Sequence, residues 1–165
     1  MAQTALRGNP VNTSGDLPSK GSKAPAFDLV ASDMSPVTSG DLAGQRVILN
    51  IFPSIDTPTC ATSVRTFNER AASLDNTTVV CVSADLPFAA GRFCGAEGID
   101  SVVTGSTFRS DFLDDYGVRM VDGPLADVAA RSVVVLDTDG TVLHTELVPD
   151  ISSEPDYDAA INALG

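Results

Sequence analysis

Arg46-Val-Ile-Leu-Asn-Ile-Phe-Pro53-Ser-Ile-Asp-Thr57-Pro58-Thr59-Cys60 joins two elements whose order sets the architecture of the whole chain. Its first half, Arg46 to Pro53, is a nearly continuous apolar run of strand length, ended by a proline. Such a run fits a strand covered on both faces, as in an α/β sheet. Its second half reads as a helix start, because Thr57 is a favoured N-cap and Pro58 suits the first helical position. Cys60 then takes the third helical position. At helical spacing Cys60, Val64, Phe67, Ala71 and Leu74 fall on one side, so the sulfur faces inward at the rim of a strand-to-helix crevice.

Two further runs share this β-branched character: Thr77 to Ala84 (TTVVCVSA) and Ser132 to Leu136 (SVVVL). Asp139-Gly140 separates the latter from an alternating segment, Thr141 to Glu146, which is a strong hairpin pattern and predicts a mixed sheet. Helices are predicted over about residues 58–74, 87–96, 110–116 and 155–164. The resulting order, β-α-β-α-β-β, points to a compact α/β sandwich. Near the start, Asn9-Pro10 lies between the short runs Thr4 to Arg7 and Val11 to Thr13, which predicts an edge hairpin. Leu17 to Pro25 reads as a loop leading into the alternation of Phe27 and Leu29. At 165 residues, with 43% hydrophobic residues and no repeats, residues 1–165 are expected to form one domain.

The charge balance narrows the function classes. A net charge of −12, from 22 acidic against 10 basic side chains, repels nucleic acid and anionic membrane surfaces, so neither is an expected partner. The opening residues hold no apolar stretch long enough for a signal peptide, and no run approaches a membrane span, so a cytoplasmic location is expected. Three cysteines, Cys60, Cys81 and Cys94, suit a reducing compartment better than a structural disulfide framework, and they leave three pairings open. No Cys-x-x-Cys or histidine cluster occurs and His144 is isolated, so no metal is expected. Neither G-x-G-x-x-G nor a P-loop is present, so no nucleotide cofactor is expected either.

Cys60 is the residue with chemistry. In a capping box the third helical position holds a glutamate, and here a sulfur stands in its place. Free amide N–H groups and the helix dipole favour thiolate there. Ionisation alone cannot make a fast catalyst: an ordinary thiol of pKa ~8.5 is about 3% ionised at pH 7, so full ionisation gains roughly 30-fold. A more acidic thiol is also a weaker nucleophile, which removes about tenfold of that gain. A fast reaction therefore needs donors that stabilise the transition state. Candidates are the Thr57 hydroxyl, the amides around Thr59 and Cys60, and a cation. Arg131 opens the third apolar strand at a strand end, where crevices form in α/β folds. Arg65, in the Cys60 helix, is the rival.

Pro53-x-x-x-Thr57-x-x-Cys60 matches the active-site motif of peroxiredoxins. The longer segment Asp56 to Asn68 resembles the bacterial thiol peroxidase branch, of atypical 2-Cys type. So do Asp85-Leu86-Pro87-Phe88-Ala89, Arg92-Phe93-Cys94-Gly95, Tyr116-Gly117-Val118 and Ala130-Arg131-Ser132. The similarity spans nearly the whole chain, including the N-terminal hairpin. It implies a thioredoxin-like fold, a homodimer, and reduction of hydrogen peroxide or organic hydroperoxides. By the same resemblance Cys60 is the peroxidatic cysteine, Pro53 shields it, Thr57 orients the peroxide, Arg131 polarises the site and Cys94 is the resolving cysteine. An intrachain Cys60–Cys94 disulfide and its reduction by thioredoxin or a similar dithiol protein are implied with them. Closing that bond would require local unfolding at one or both helix starts.

Plainer roles fit the remaining residues. Cys81, inside Thr-Val-Val-Cys-Val-Ser, reads as strand core, and His144 as a half-exposed strand residue. Asp114-Asp115 and Glu154 to Asp158 read as solvated helix ends. Among other functions, a peroxide sensor that passes its disulfide to a partner without turnover uses the same residues. A disulfide oxidoreductase would need Cys-x-x-Cys, but position 63 is Ser. A copper chaperone would need a second cysteine at position 64, which is Val.

Overall fold

The structure, a computed structural model, describes residues Met1–Gly165. Its centre is a strand pair made by the first two apolar runs. β5 (Arg46–Ile51) and β6 (Thr77–Ser83) lie parallel, from Arg46 beside Thr77 to Ile51 beside Val82. The chain crosses between them through α1 (Pro58–Ala71). On one side of β5, β8 (Ser132–Leu136) pairs antiparallel, and β9 (Val142–Leu147) pairs antiparallel with β8. Gly140 turns that hairpin at φ 83°, a conformation open to glycine. The mixed sheet expected from Asp139-Gly140 is therefore present.

Beyond β6 the sheet continues through short strands that leave little trace in the residue pattern. After α2 (Pro87–Glu97), β7 (Val103–Ser106) pairs parallel with β6. β3 (Asp28–Val30) meets β7 antiparallel through a single pair, Val30 with Ser106, and β4 (Pro36–Thr38) closes the edge. The full order is β4-β3-β7-β6-β5-β8-β9. These outer strands are three or four residues long, and β7 contains Gly105, which weakens any strand pattern. Gly105 is there for contact: a Cβ on it would lie 2.8 Å from Leu29 Cδ1 and 3.2 Å from Val80 Cγ1. The N-terminal hairpin, β1 (Gln3–Leu6) with β2 (Asn9–Asn12), is a separate two-stranded sheet.

Two apolar layers clothe the sheet. Val47, Leu49, Ile51, Val80, Val82 and Val134 face one way, onto Phe112, Leu113 and Tyr116 of the segment around α3 (Phe112–Asp115). Ile48, Val79, Cys81, Val133 and Val135 face the other, onto Cys60, Val64 and Phe67 of α1 and Ala160 of α4 (Tyr157–Asn162). The side of α1 expected to face inward thus does so, and α1 ends at Ala71, three residues short of Leu74. Tyr116-Gly117 is architectural. Tyr116 donates to Pro25 O at 2.7 Å, and Gly117, at φ 68°, leaves no room for a Cβ against the Asp16 backbone. No helix is long and apolar enough to cross a membrane.

Candidate active site

The site begins where β5 ends. Thr57 is the N-cap of α1 with extended backbone (φ −104°, ψ 145°) and Pro58 follows at the first helical position. The expected side-chain cap is not made. Thr57 Oγ1 instead donates to Ser54 O at 3.0 Å, and Thr57 N donates to the same carbonyl at 3.2 Å. Ala61 N to Thr57 O, 3.0 Å, is the first bond of the helix, which leaves the amides of Thr59 and Cys60 ahead of the hydrogen-bonded ladder. Cys60 Sγ therefore sits at the positive end of α1, with its residue 0% exposed.

Arg131 comes to this sulfur from 71 residues away. Its Nη2 donates to Cys60 Sγ at 3.1 Å and its Nε to Ile151 O at 2.9 Å. At 1% exposure it is the largest fully buried side chain in the molecule, and its Nη1 has no hydrogen-bond partner. A buried donor without a partner is costly unless something occupies it during function. Arg131 lines a cleft of about 390 Å³ together with Pro53 and Thr57, and Cys60, itself buried, reaches that cleft only through its contact with Arg131. Pro53 is buried. Of the residues singled out from the sequence, Pro53, Thr57, Cys60 and Arg131 thus meet at one place. Arg65 does not. Its guanidinium pairs with Glu97 at 2.7 Å and lies 5.6 Å from the Phe93 ring centre, on the surface.

Cys94 lies on α2, free and half-buried, and burial raises its thiol above the ordinary value. Cys81 is fully buried in β6. Burial pushes its thiol up to about 12, opposed in part by the Asn50 amide 3.7 Å away. Cys81 is strand core, as its surroundings in sequence implied.

Several contributors had no role assigned from sequence. Ile151 O, which fixes Arg131, comes from the loop after β9, and Ile151 N donates to Ala5 O of the N-terminal hairpin at 2.8 Å. Leu6 and Arg7 of that hairpin line the cleft. Asp150 accepts from the Arg7 and Gly8 amides, and its carboxyl is held well below the usual range, chiefly by Ser152 and then by Gly8. No periodicity marks a carbonyl as a ligand, so Ile151 could not be found from sequence. Asp85 stood in a quoted motif but carried no chemistry until its contacts were seen.

Comparison with known proteins gives the family. The redoxin family model matches residues 19–161. The thiol peroxidase of Mycobacterium tuberculosis is 58% identical over 165 residues, covering 100% of this chain and 99% of its own. The thiol peroxidase of Corynebacterium glutamicum is 55% identical over 164 residues, covering 99% of each chain.

The chain belongs to the thiol peroxidase branch of the redoxin family.

Among solved structures, a peroxiredoxin-like protein from Aquifex aeolicus superposes with a TM-score of 0.93 at 36% identity, covering 98% of this chain and 95% of that one. A thiol peroxidase from Chromobacterium violaceum gives 0.91 at 20% identity, covering 99% and 96%, and supports the fold. The redoxin match takes in the whole Pro53–Cys60 segment, Cys94 and Arg131, and starts after the hairpin, whose residues lie within the full-length match to the thiol peroxidase of Mycobacterium tuberculosis. The thioredoxin-like architecture expected from the sequence, a mixed sheet between helices with an N-terminal β-hairpin, is the one observed.

Proposed function

We propose that the Cys60 thiolate attacks the outer oxygen of a peroxide held between Arg131 and Thr57. Family membership makes the chain a thiol-dependent peroxidase, an enzyme that consumes peroxide at the expense of a thiol reductant. The observation that carries the residue assignment is the Arg131 fork: one arm on the sulfur at 3.1 Å, the other a buried donor with no partner. A donor beside the nucleophile suits an oxygen that gains charge as the O–O bond breaks. Thr57 gives its proton to Ser54 O, so its lone pairs are left to accept from the peroxide O–H. Pro53 keeps bulk water from the sulfur. This differs from the expectation that Thr57 donates.

The cycle balances as follows. Sulfur takes the outer OH and becomes a sulfenic acid, while the remaining oxygen leaves as water or an alcohol after taking a proton. The Cys94 thiol attacks that sulfenic sulfur, water leaves, and an intrachain disulfide forms. A dithiol protein such as thioredoxin then restores both thiols and carries away the two oxidising equivalents. Support for Cys94 as the resolving residue is its free, half-buried place on α2, the helix that follows the strand beside the one leading to Cys60. Hydrogen peroxide and organic hydroperoxides are the proposed substrates. A cytoplasmic location, one domain over residues 1–165 and a homodimer complete the reading, and no cofactor or metal is invoked.

The test is mass spectrometry after one equivalent of hydrogen peroxide. The parent should give a Cys60–Cys94 link, Cys94→Ser a Cys60 sulfenic acid, and Cys60→Ser no fast reaction. Undiminished turnover in Cys60→Ser sinks the proposal. A sensor without turnover would stall after about one equivalent of peroxide in the presence of a thioredoxin system.

A further inference from the structure

The two segments that carry Cys60 and Cys94 leave the sheet from neighbouring parallel strands, and one carboxylate bridges them. Asp85 stands between β6 and α2, two residues before Pro87. Its Oδ2 accepts from Ile55 N at 2.7 Å and from Ser83 Oγ at 2.7 Å, and its Oδ1 accepts from Ser54 Oγ at 2.8 Å. Its carbonyl accepts from Ser106 Oγ at 2.5 Å, which fixes the residue to the end of β7. Asp85 therefore grips two consecutive residues of the loop that leads to Cys60. Ser54, one of the two, supplies the carbonyl that holds Thr57.

Two ion pairs run alongside, Asp56 with Arg92 at 3.7 Å and Arg65 with Glu97 at 2.7 Å, and each joins the Cys60 segment to α2. Both are substantially exposed, and exposed pairs contribute little. Charge-assisted bonds from a backbone N–H and two hydroxyls to a partly buried carboxylate are the stronger set. Asp85 is thus the main tie between the two cysteine segments.

We propose that Asp85 is a positioning residue that times the two half-reactions. While its carboxylate holds Ser54 and Ile55, the Pro53–Thr57 loop keeps sulfur, Arg131 and Thr57 in the arrangement for peroxide attack. When that hold is released, the start of α1 is free to move and the Cys60 sulfenic acid reaches Cys94, forming the S–S bond with loss of one water. The inference rests on the roles given above to Cys60 and Cys94. It adds a residue that touches neither sulfur nor peroxide and acts through the loop.

Asp85→Asn isolates the effect, because an amide keeps one acceptor oxygen and sets an NH₂ donor against a donor that the carboxylate had accepted. Two single-turnover constants are measured by quenched flow and mass spectrometry on the full chain: oxidation of Cys60, and conversion of sulfenic acid to disulfide. In Asp85→Asn oxidation should slow at least tenfold and disulfide formation should quicken at least threefold. The fraction of Cys60 over-oxidised to sulfinic acid by excess peroxide should fall. Ser54→Ala, which removes one of the three bonds, should move both constants in the same directions by less, and it decides the matter if Asp85→Asn does not fold. General destabilisation that leaves the hold on Ser54 and Ile55 intact would not send the two steps in opposite directions. Both constants within twofold of the parent, or both slowed together, overturn the timing role. A parent that never forms the Cys60–Cys94 bond refutes the underlying reading instead.

Discussion

Replacing Arg131 by Met separates two things a buried guanidinium can do for a sulfur. One is to keep it ionised. If that were all, the deficit would track the thiolate fraction: roughly 30-fold at pH 7 for an ordinary thiol of pKa ~8.5 and more for one that burial raises, shrinking about tenfold per pH unit as the thiol ionises. The other is to hold the breaking O–O bond with a preorganised donor, and removing one such donor costs about 10²–10³ in rate, or ~2.7–4 kcal/mol. The structure favours the second, since Nη2 is engaged with sulfur at 3.1 Å while Nη1 is buried without a partner. Methionine fills similar space and removes both arms. It leaves Ile151 O without its donor, at about 1–3 kcal/mol, but also removes the cost of burying a charge, so the fold should survive. The assay is competition for hydrogen peroxide against a reporter peroxidase, at pH 7 and at pH 9.5, where an ordinary thiol of pKa ~8.5 is about 90% ionised. A deficit of about 10²-fold should persist at pH 9.5. A deficit that shrinks tenfold or more between pH 7 and pH 9.5 would mean that Arg131 only ionises the sulfur, and the donor argument would be wrong.

Other consequences are open to direct measurement. Thr57→Val keeps the shape of the N-cap residue but removes the acceptor and the bond to Ser54 O, and should lower the peroxide rate constant by about 10–100-fold with little change in melting temperature. Cys81, raised to about 12 by burial, favours folding while protonated; that contribution is complete below the unfolded value near 9 and is lost as pH rises from there toward 12. Denaturant titrations of the parent should therefore lose up to ~1.4 kcal/mol per pH unit in that window from this thiol, and Cys81→Val should show a shallower decline. Phe67→Ala opens a hole under α1, where Phe67 is fully buried and meets Tyr157 edge-on at 5.1 Å, and should cost about 3–5 kcal/mol in urea unfolding.

The parts of this molecule that could be read from sequence are those where chemistry and periodicity are local. Arg46 to Ile51 could be placed as a buried strand because nearly every residue is apolar, and the Asp139-Gly140 hairpin because its turn demands those residue types. The inward side of α1 followed from spacing alone. β3 showed only as the alternation of Phe27 and Leu29, and β4 and β7 were hidden, because strands of three or four residues give no period to count and their pairing is set by partners far along the chain. The site divides along the same line. Cys60 could be singled out from its helix position, but Arg131 rather than Arg65 rested on resemblance, since only the fold brings a residue 71 positions away to the sulfur. Ile151 contributes a main-chain oxygen, which every residue possesses, and so leaves no trace in the sequence.

Ile151 links the opening hairpin to the arginine: its N–H is held by Ala5 and its C=O holds Arg131. The guanidinium beside Cys60 is thereby braced from outside the central sheet, by a hairpin that can be edited without touching a single strand of it. Fusion partners, affinity handles and trimming at the amino end are for this reason not innocent choices when activity is the quantity of interest.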